Sequence, residues 1–116
     1  MNINGKEYGF RLTVGASIQI AKLCPNGDLA RIAEAVEGGY EKQAETMAKI
    51  VSALSNGYAA SEEFAGRKAE RLSPEAVLSL SPDQFTEISQ EAFKSFGIDV
   101  KGEIEGESSK KAAAEG

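Results

Sequence analysis

Residues Tyr40, Ala44, Met47, Val51, Leu54 and Tyr58 recur at alternating steps of four and three. That spacing lines apolar side chains along one narrow stripe of a straight α-helix, and it constrains this chain more than any other feature. It predicts a helix from about Tyr40 to Ala59, with Glu41, Glu45, Lys49, Ser52 and Asn56 off the stripe. Glu45 and Lys49 stand in the favourable i, i+4 order, which adds about 0.2–0.5 kcal/mol. The stripe needs a cover, and the rest of the chain must supply it.

Ahead of the stripe the chain opens with "MNINGKEYGFRLTVGASIQIAKL". Asn4-Gly5 is a hairpin signal, because a type I′ turn needs positive φ at both central residues. Met1 to Ile3 is expected to pair with Lys6 to Leu12, with Tyr8, Phe10 and Leu12 on one face and Glu7, Gly9 and Arg11 on the other. Two strands alone are barely stable in water, so that aromatic face must lie on something else. Thr13 can cap a helix running to about Leu23, with Val14, Ile18 and Ala21 on its apolar face, widened by Ile20 and Leu23. Pro25, Asn26 and Gly27 stop it. A short helix over roughly Asp28 to Val36 follows, closed by Gly38-Gly39.

Beyond the stripe, Ser61 is placed to cap a further helix, with Glu62 and Glu63 in its first turn, where the helix dipole favours negative charge. Ser73-Pro74 and Ser81-Pro82 are two more helix starts, each a capping hydroxyl followed by proline at the first helical position. Gln84 completes a capping box with Ser81. The helix from Pro74 must be short, ending near Ser79, and the last runs from Pro82 to Phe96 with Phe85, Ile88, Ala92 and Phe96 on one face and Gly97 closing it. The composition then shifts to Gly, Glu, Ser, Lys and Ala, the signature of a flexible acidic tail over 98–116, disordered from 106 onward. Ile98, Val100 and Ile104 can pair as a strand there or dock on a groove.

The 116 residues suffice for one domain, 1–97, with the hairpin at 1–12. The expected class is α+β and mostly helical: an N-terminal β-hairpin, about six helices and the tail. A single Cys24 forms no internal bridge, which fits a reducing cytoplasm. No signal peptide or membrane-spanning run is read in the sequence. Net charge is −5, and residues 61–116 carry seven basic against twelve acidic groups, whereas residues 1–60 balance at six and six. An acidic half repels phosphate backbones, so neither nucleic acid nor membrane is expected as a partner.

Residues able to do chemistry are scarce. The chain has no His, the commonest general base and metal ligand. Cys24 therefore has no imidazole partner and reads as a small apolar residue at a helix end. Glu62-Glu63 and the Glu103, Glu105, Glu107 series read as solvated faces rather than a catalytic pair, which needs two carboxyls in unlike environments. The glycines form no phosphate-binding loop, and Gly5, Gly27, Gly38, Gly39, Gly57 and Gly97 all fit turns or helix ends. Arg67, Lys68 and Arg71 form a basic cluster, with Arg67 and Arg71 on one helix face and Glu63 and Glu70 within pairing reach. No catalytic residue, cofactor or metal site is expected. The weight shifts to a protein that acts by binding other proteins.

The segment "INGKEYGFRLTVGASIQI" resembles the start of tail assembly chaperones from phages and prophages of Gram-positive bacteria. The likeness rests on Asn4, Gly5, Lys6, Tyr8, Phe10, Thr13, Val14, Gly15 and Ala16, and many members have proline where this chain has Gly9. It is sharp over about residues 3–20 and beyond that is a likeness of plan, a short, acidic, mostly helical protein with a loose tail. The resemblance implies a non-enzymatic chaperone that binds the tape-measure protein in the cytoplasm of the bacterial host before tail-tube subunits polymerise around it. It also implies a longer product made by ribosomal frameshifting, and Lys110-Lys111 is where an adenine run would sit. The implied partners are the tape-measure protein, with the tail-tube protein and a second copy of the chain as further candidates. Ile3, Tyr8, Ile98, Val100 and Ile104 are the candidate partner-binding residues. Two roles stay open for the hairpin: cover for the core, or a free edge for a neighbouring strand. The alternatives in function are a tail-completion or connector subunit retained in the particle, and a helical regulator that binds nucleic acid.

Overall fold

A computed structural model describes residues 1–96. Two short strands, β1 (Asn2–Ile3) and β2 (Lys6–Glu7), precede five α-helices: α1 (Val14–Ala21), α2 (Ile32–Ala35), α3 (Tyr40–Phe64), α4 (Pro74–Leu78) and α5 (Pro82–Phe93). Single 3₁₀ turns lie at Pro25–Gly27, Leu29–Arg31 and Lys94–Phe96. This is the mostly helical α+β architecture with an N-terminal hairpin that the sequence predicts. The tail expected at 98–116 lies outside the described residues.

The hairpin is antiparallel, pairing Ile3 with Lys6 and Asn2 with Glu7. Asn4 (φ 52°) and Gly5 (φ 89°) supply the two positive φ angles of the turn. The ladder is far shorter than the expected second strand to Leu12. With β1 only two residues long, nothing remains for residues beyond Tyr8 to pair with, and the chain leaves the sheet to cross α3. There the Arg11 N–H donates to the Leu54 carbonyl at 3.1 Å. Tyr8, Phe10 and Leu12 are half-buried against the core, as the alternation predicts.

α3 is the axis of the fold, and α1, α4 and α5 all pack on it. Its middle is buried almost all round: Ala48, Ile50, Val51, Ser52, Ala53, Leu54, Ser55, Gly57 and Ala59 are covered. The narrow stripe is therefore only part of its buried surface, and Tyr40, at the stripe's start, is exposed. Small residues on the other faces let neighbouring chain approach closely. Ile20, Ile50, Val51, Leu54, Val77 and Ile88 are completely buried, each contributing about 1.5–3 kcal/mol.

α3 also runs past Ala59 to Phe64, so Ser61 lies inside it and caps no new helix. Ala59 and Ala60 are strong helix formers and carry the helix through. It ends instead at Gly66 (φ 87°), where Arg67 N–H bonds to Glu62 O at 2.8 Å and Gly66 N–H to Glu63 O at 3.0 Å. This is a Schellman closure, in which a left-handed glycine satisfies the last carbonyls. Residues 65–73 are consequently not helical, and Arg67 and Arg71 do not share a helix face.

α1 corrects a second expectation. Thr13 caps it, accepting from Ala16 N at 3.1 Å. But its buried residues are Ala16 and Ile20, while Val14 and Ile18 face solvent. The helix expected at 28–36 splits into a 3₁₀ turn capped by Asp28 and the single turn of α2. The two Ser-Pro starts form as predicted, with Ser73 accepting from Ala76 N and Ser81 from Gln84 N within a capping box.

Candidate functional site

The polar groups of the described residues are spent on holding the fold. Ser52 Oγ donates to the Leu72 carbonyl at 2.7 Å, and Ser55 Oγ accepts from Leu72 N–H at 2.9 Å. These two buried hydroxyls satisfy both backbone groups of one residue and fasten the irregular 65–73 segment to α3. Sequence reasoning placed Ser52 off the apolar stripe and so missed this clamp. The signal was the Ser-x-x-Ser spacing inside a helix whose other faces are also small.

The basic cluster is paired residue by residue. Arg67 Nε binds Glu62 Oε1 at 2.7 Å, and Arg71 makes two bonds to Glu63 at 2.5 and 2.8 Å. Hydrogen bonds from these guanidiniums hold the Glu62 and Glu63 carboxyls below their usual range, and Arg31 does the same to Glu34. Glu70 pairs with Lys6 on the hairpin at 3.6 Å. The Arg11 guanidinium lies 5.2 Å from the centre of the Tyr58 ring and hydrogen-bonds to Ser61. Its nearest carboxylate, Glu62, is 4.0 Å away and already bound to Arg67.

Cys24 is buried, with its thiol directed at the Ile20 carbonyl. Burial, reinforced by nearby Asp28, raises its pKa, which lowers its thiolate fraction and its reactivity. Among the described residues no three His, Cys, Asp or Glu side chains are grouped to hold a metal ion, and no helix is long and apolar enough to cross a membrane. Ser89 on α5 is buried with no hydrogen-bond partner for its hydroxyl among the described residues.

The candidate partner-binding residues fall in different settings. Ile3 is buried in the core and Tyr8 is half-buried against it. What the hairpin offers outward is its backbone edge, not those two side chains. Ile98, Val100 and Ile104 lie outside the described residues. The large apolar side chains turned to solvent are instead Val14 (79% exposed), Ile18 (54%), Tyr40, Phe64 (96%) and Leu78. Val14 and Ile18 stand one turn apart on α1. No family model, curated protein or solved structure matches the chain.

Proposed function

We propose that this protein is a phage or prophage tail assembly chaperone, a non-enzymatic protein that binds the tape-measure protein in the bacterial cytoplasm. The observation that carries the reading is the opening segment, residues 3–20, whose Asn-Gly-Lys turn, aromatic second strand and Thr-Val-Gly-Ala helix start resemble that family. The type I′ geometry at Asn4-Gly5 and the Thr13 cap are compatible with it. A holding protein also needs apolar surface for a partner and charge to keep the complex dispersed. Val14, Ile18 and Phe64 offer the first, and the net charge of −5 the second.

The test is co-expression of the full chain with the tape-measure protein of its own genome, with and without the tail-tube protein. The expected result is a soluble complex of chaperone and tape-measure protein, and absence of the chain from purified tails by mass spectrometry. Stoichiometric presence in finished tails replaces the reading with a structural subunit. A tape-measure protein that is equally soluble without the chain, and does not bind it, removes the reading altogether.

A further inference from the structure

Ala16 and Ile20 point α1 at the core. At 3.6 residues per turn, about 100° each, Ile18 then lies nearly opposite them, at the outermost point of the helix. Val14 and Lys22 stand in its row, and Gly15 and Gln19 in the next. All of these are exposed, and no ionisable residue occurs between Arg11 and Lys22. An isoleucine at the most solvated position of a short helix is unexplained by the fold of the single chain.

Gly15 is equally unexplained. Its φ is not positive, and a Cβ added there meets only Thr13 Oγ1, at 3.9 Å. Neither backbone conformation nor packing within the chain calls for glycine, which weakens a helix relative to alanine. What its missing side chain provides is a notch beside Val14, Ile18 and Gln19, into which another backbone can come close.

We propose that the outer face of α1, formed by Val14, Gly15, Ile18 and Gln19, docks a helix of a partner protein whose apolar centre is flanked by acidic residues. The proposal goes beyond the chaperone reading, because it names a face and a partner chemistry that stand or fall whatever larger assembly the partner belongs to. Charge selects the occupant. Arg11 and Lys22 mark the two ends of the face; the only carboxylate close to Arg11 is held by Arg67, and Lys22 makes no ion pair among the described residues. A second copy pairing through its own α1 sets Arg11 against Lys22 when antiparallel and against Arg11 when parallel, like charges either way. Acidic flanks on a different helix meet those cations favourably. Size points the same way: α1 has eight residues, about 12 Å of helix, which suits two or three turns of a partner helix and falls short of the roughly 800 Å² per partner of a stable protein dimer.

The test titrates the isotope-labelled full chain with a synthetic helical peptide of about four turns, carrying leucine and alanine along one face and glutamate at both ends. A control peptide carries lysine in place of glutamate. The expected result is amide shifts centred on residues 13–22, with the control binding about tenfold more weakly. Ile18→Glu, at an exposed position, abolishes binding while the circular dichroism spectrum is unchanged. Gly15→Ala raises the melting temperature and weakens binding about tenfold, a trade-off that a merely structural role for Gly15 does not produce. Shifts confined to the hairpin, equal affinity for the two peptides, no binding of either, undiminished binding by Gly15→Ala, or self-association of the chain through α1 in sedimentation each overturn the proposal.

Discussion

Gly57 sits in the interior of α3, where helix propensity alone says that alanine should be better. Gly57→Ala would then stabilise the protein by about 1 kcal/mol. The structure predicts the opposite sign. A Cβ at Gly57 lies 2.5 Å from the Arg11 carbonyl oxygen, 2.9 Å from Thr13 Oγ1 and 3.2 Å from the Ala16 Cβ. The first of these is backbone and cannot swing aside. Restoring ordinary contact requires Arg11 to retreat by about 0.9 Å, and its N–H is the donor to the Leu54 carbonyl. Overpacking costs about 1–3 kcal/mol, and the strained hydrogen bond adds about 1 kcal/mol. These terms, set against the propensity gain, leave a net loss of about 1–3 kcal/mol. For a domain near a hundred residues that is a fall in melting temperature of roughly 4–8 °C per kcal/mol. Urea denaturation followed by far-ultraviolet circular dichroism reads the free energy, with Asn56→Ala as a control at the adjacent exposed position, expected neutral or slightly stabilising. A Gly57→Ala variant as stable as the parent would refute the claim that residues 11–16 lie directly on α3.

Ser52→Ala strands the Leu72 carbonyl and Ser55→Ala strands its N–H; each loses about 1–3 kcal/mol in urea titrations, and the double variant loses less than the sum because both release the same segment. Glu62 and Glu63 have folded-state pKa values lowered by Arg67 and Arg71, so their contribution is present above the ordinary carboxyl range and disappears as pH falls through the lowered values. The melting temperature accordingly falls below about pH 4, and a Glu62→Gln/Glu63→Gln variant, already without those pairs, shows a shallower fall over the same interval.

Features governed by local chemistry were legible in the sequence. The hairpin turn depends on two residues that tolerate positive φ, and the caps at Thr13, Ser73 and Ser81 depend on a hydroxyl within reach of a free N–H; each is a matter of neighbours in the chain. Ser61 shows the limit of that logic. It satisfies the same local criterion as the true caps, yet the helix through Ala59 and Ala60 had no reason to stop, and the stop at Gly66 uses a closure whose glycine is read only once the helix end is known. The Leu72 clamp was illegible for a different reason: its partners lie 17 and 20 residues apart, and a buried serine looks like an exposed one in a hydropathy pattern.

The reversal at α1 carries a more general argument. Apolar periodicity locates greasy side chains, and the usual step from there is to turn them inward. That step fails where the approach between elements is closest. α1 comes so near to α3 that Gly57 has no room for a methyl group beneath Thr13 and Ala16, so the residues facing α3 on this side must be small, and Ala16 takes the place a larger side chain would otherwise fill. The larger Val14 and Ile18 are then left on the outside because the geometry of the contact, not their affinity for water, decides the face. A chain whose only requirement was stability would exchange them for polar residues at little cost to its core. Their presence, with a glycine between them that the fold does not need, means that the apolar pattern of α1 records two contacts at once: one with α3, and one with a surface this chain does not itself contain.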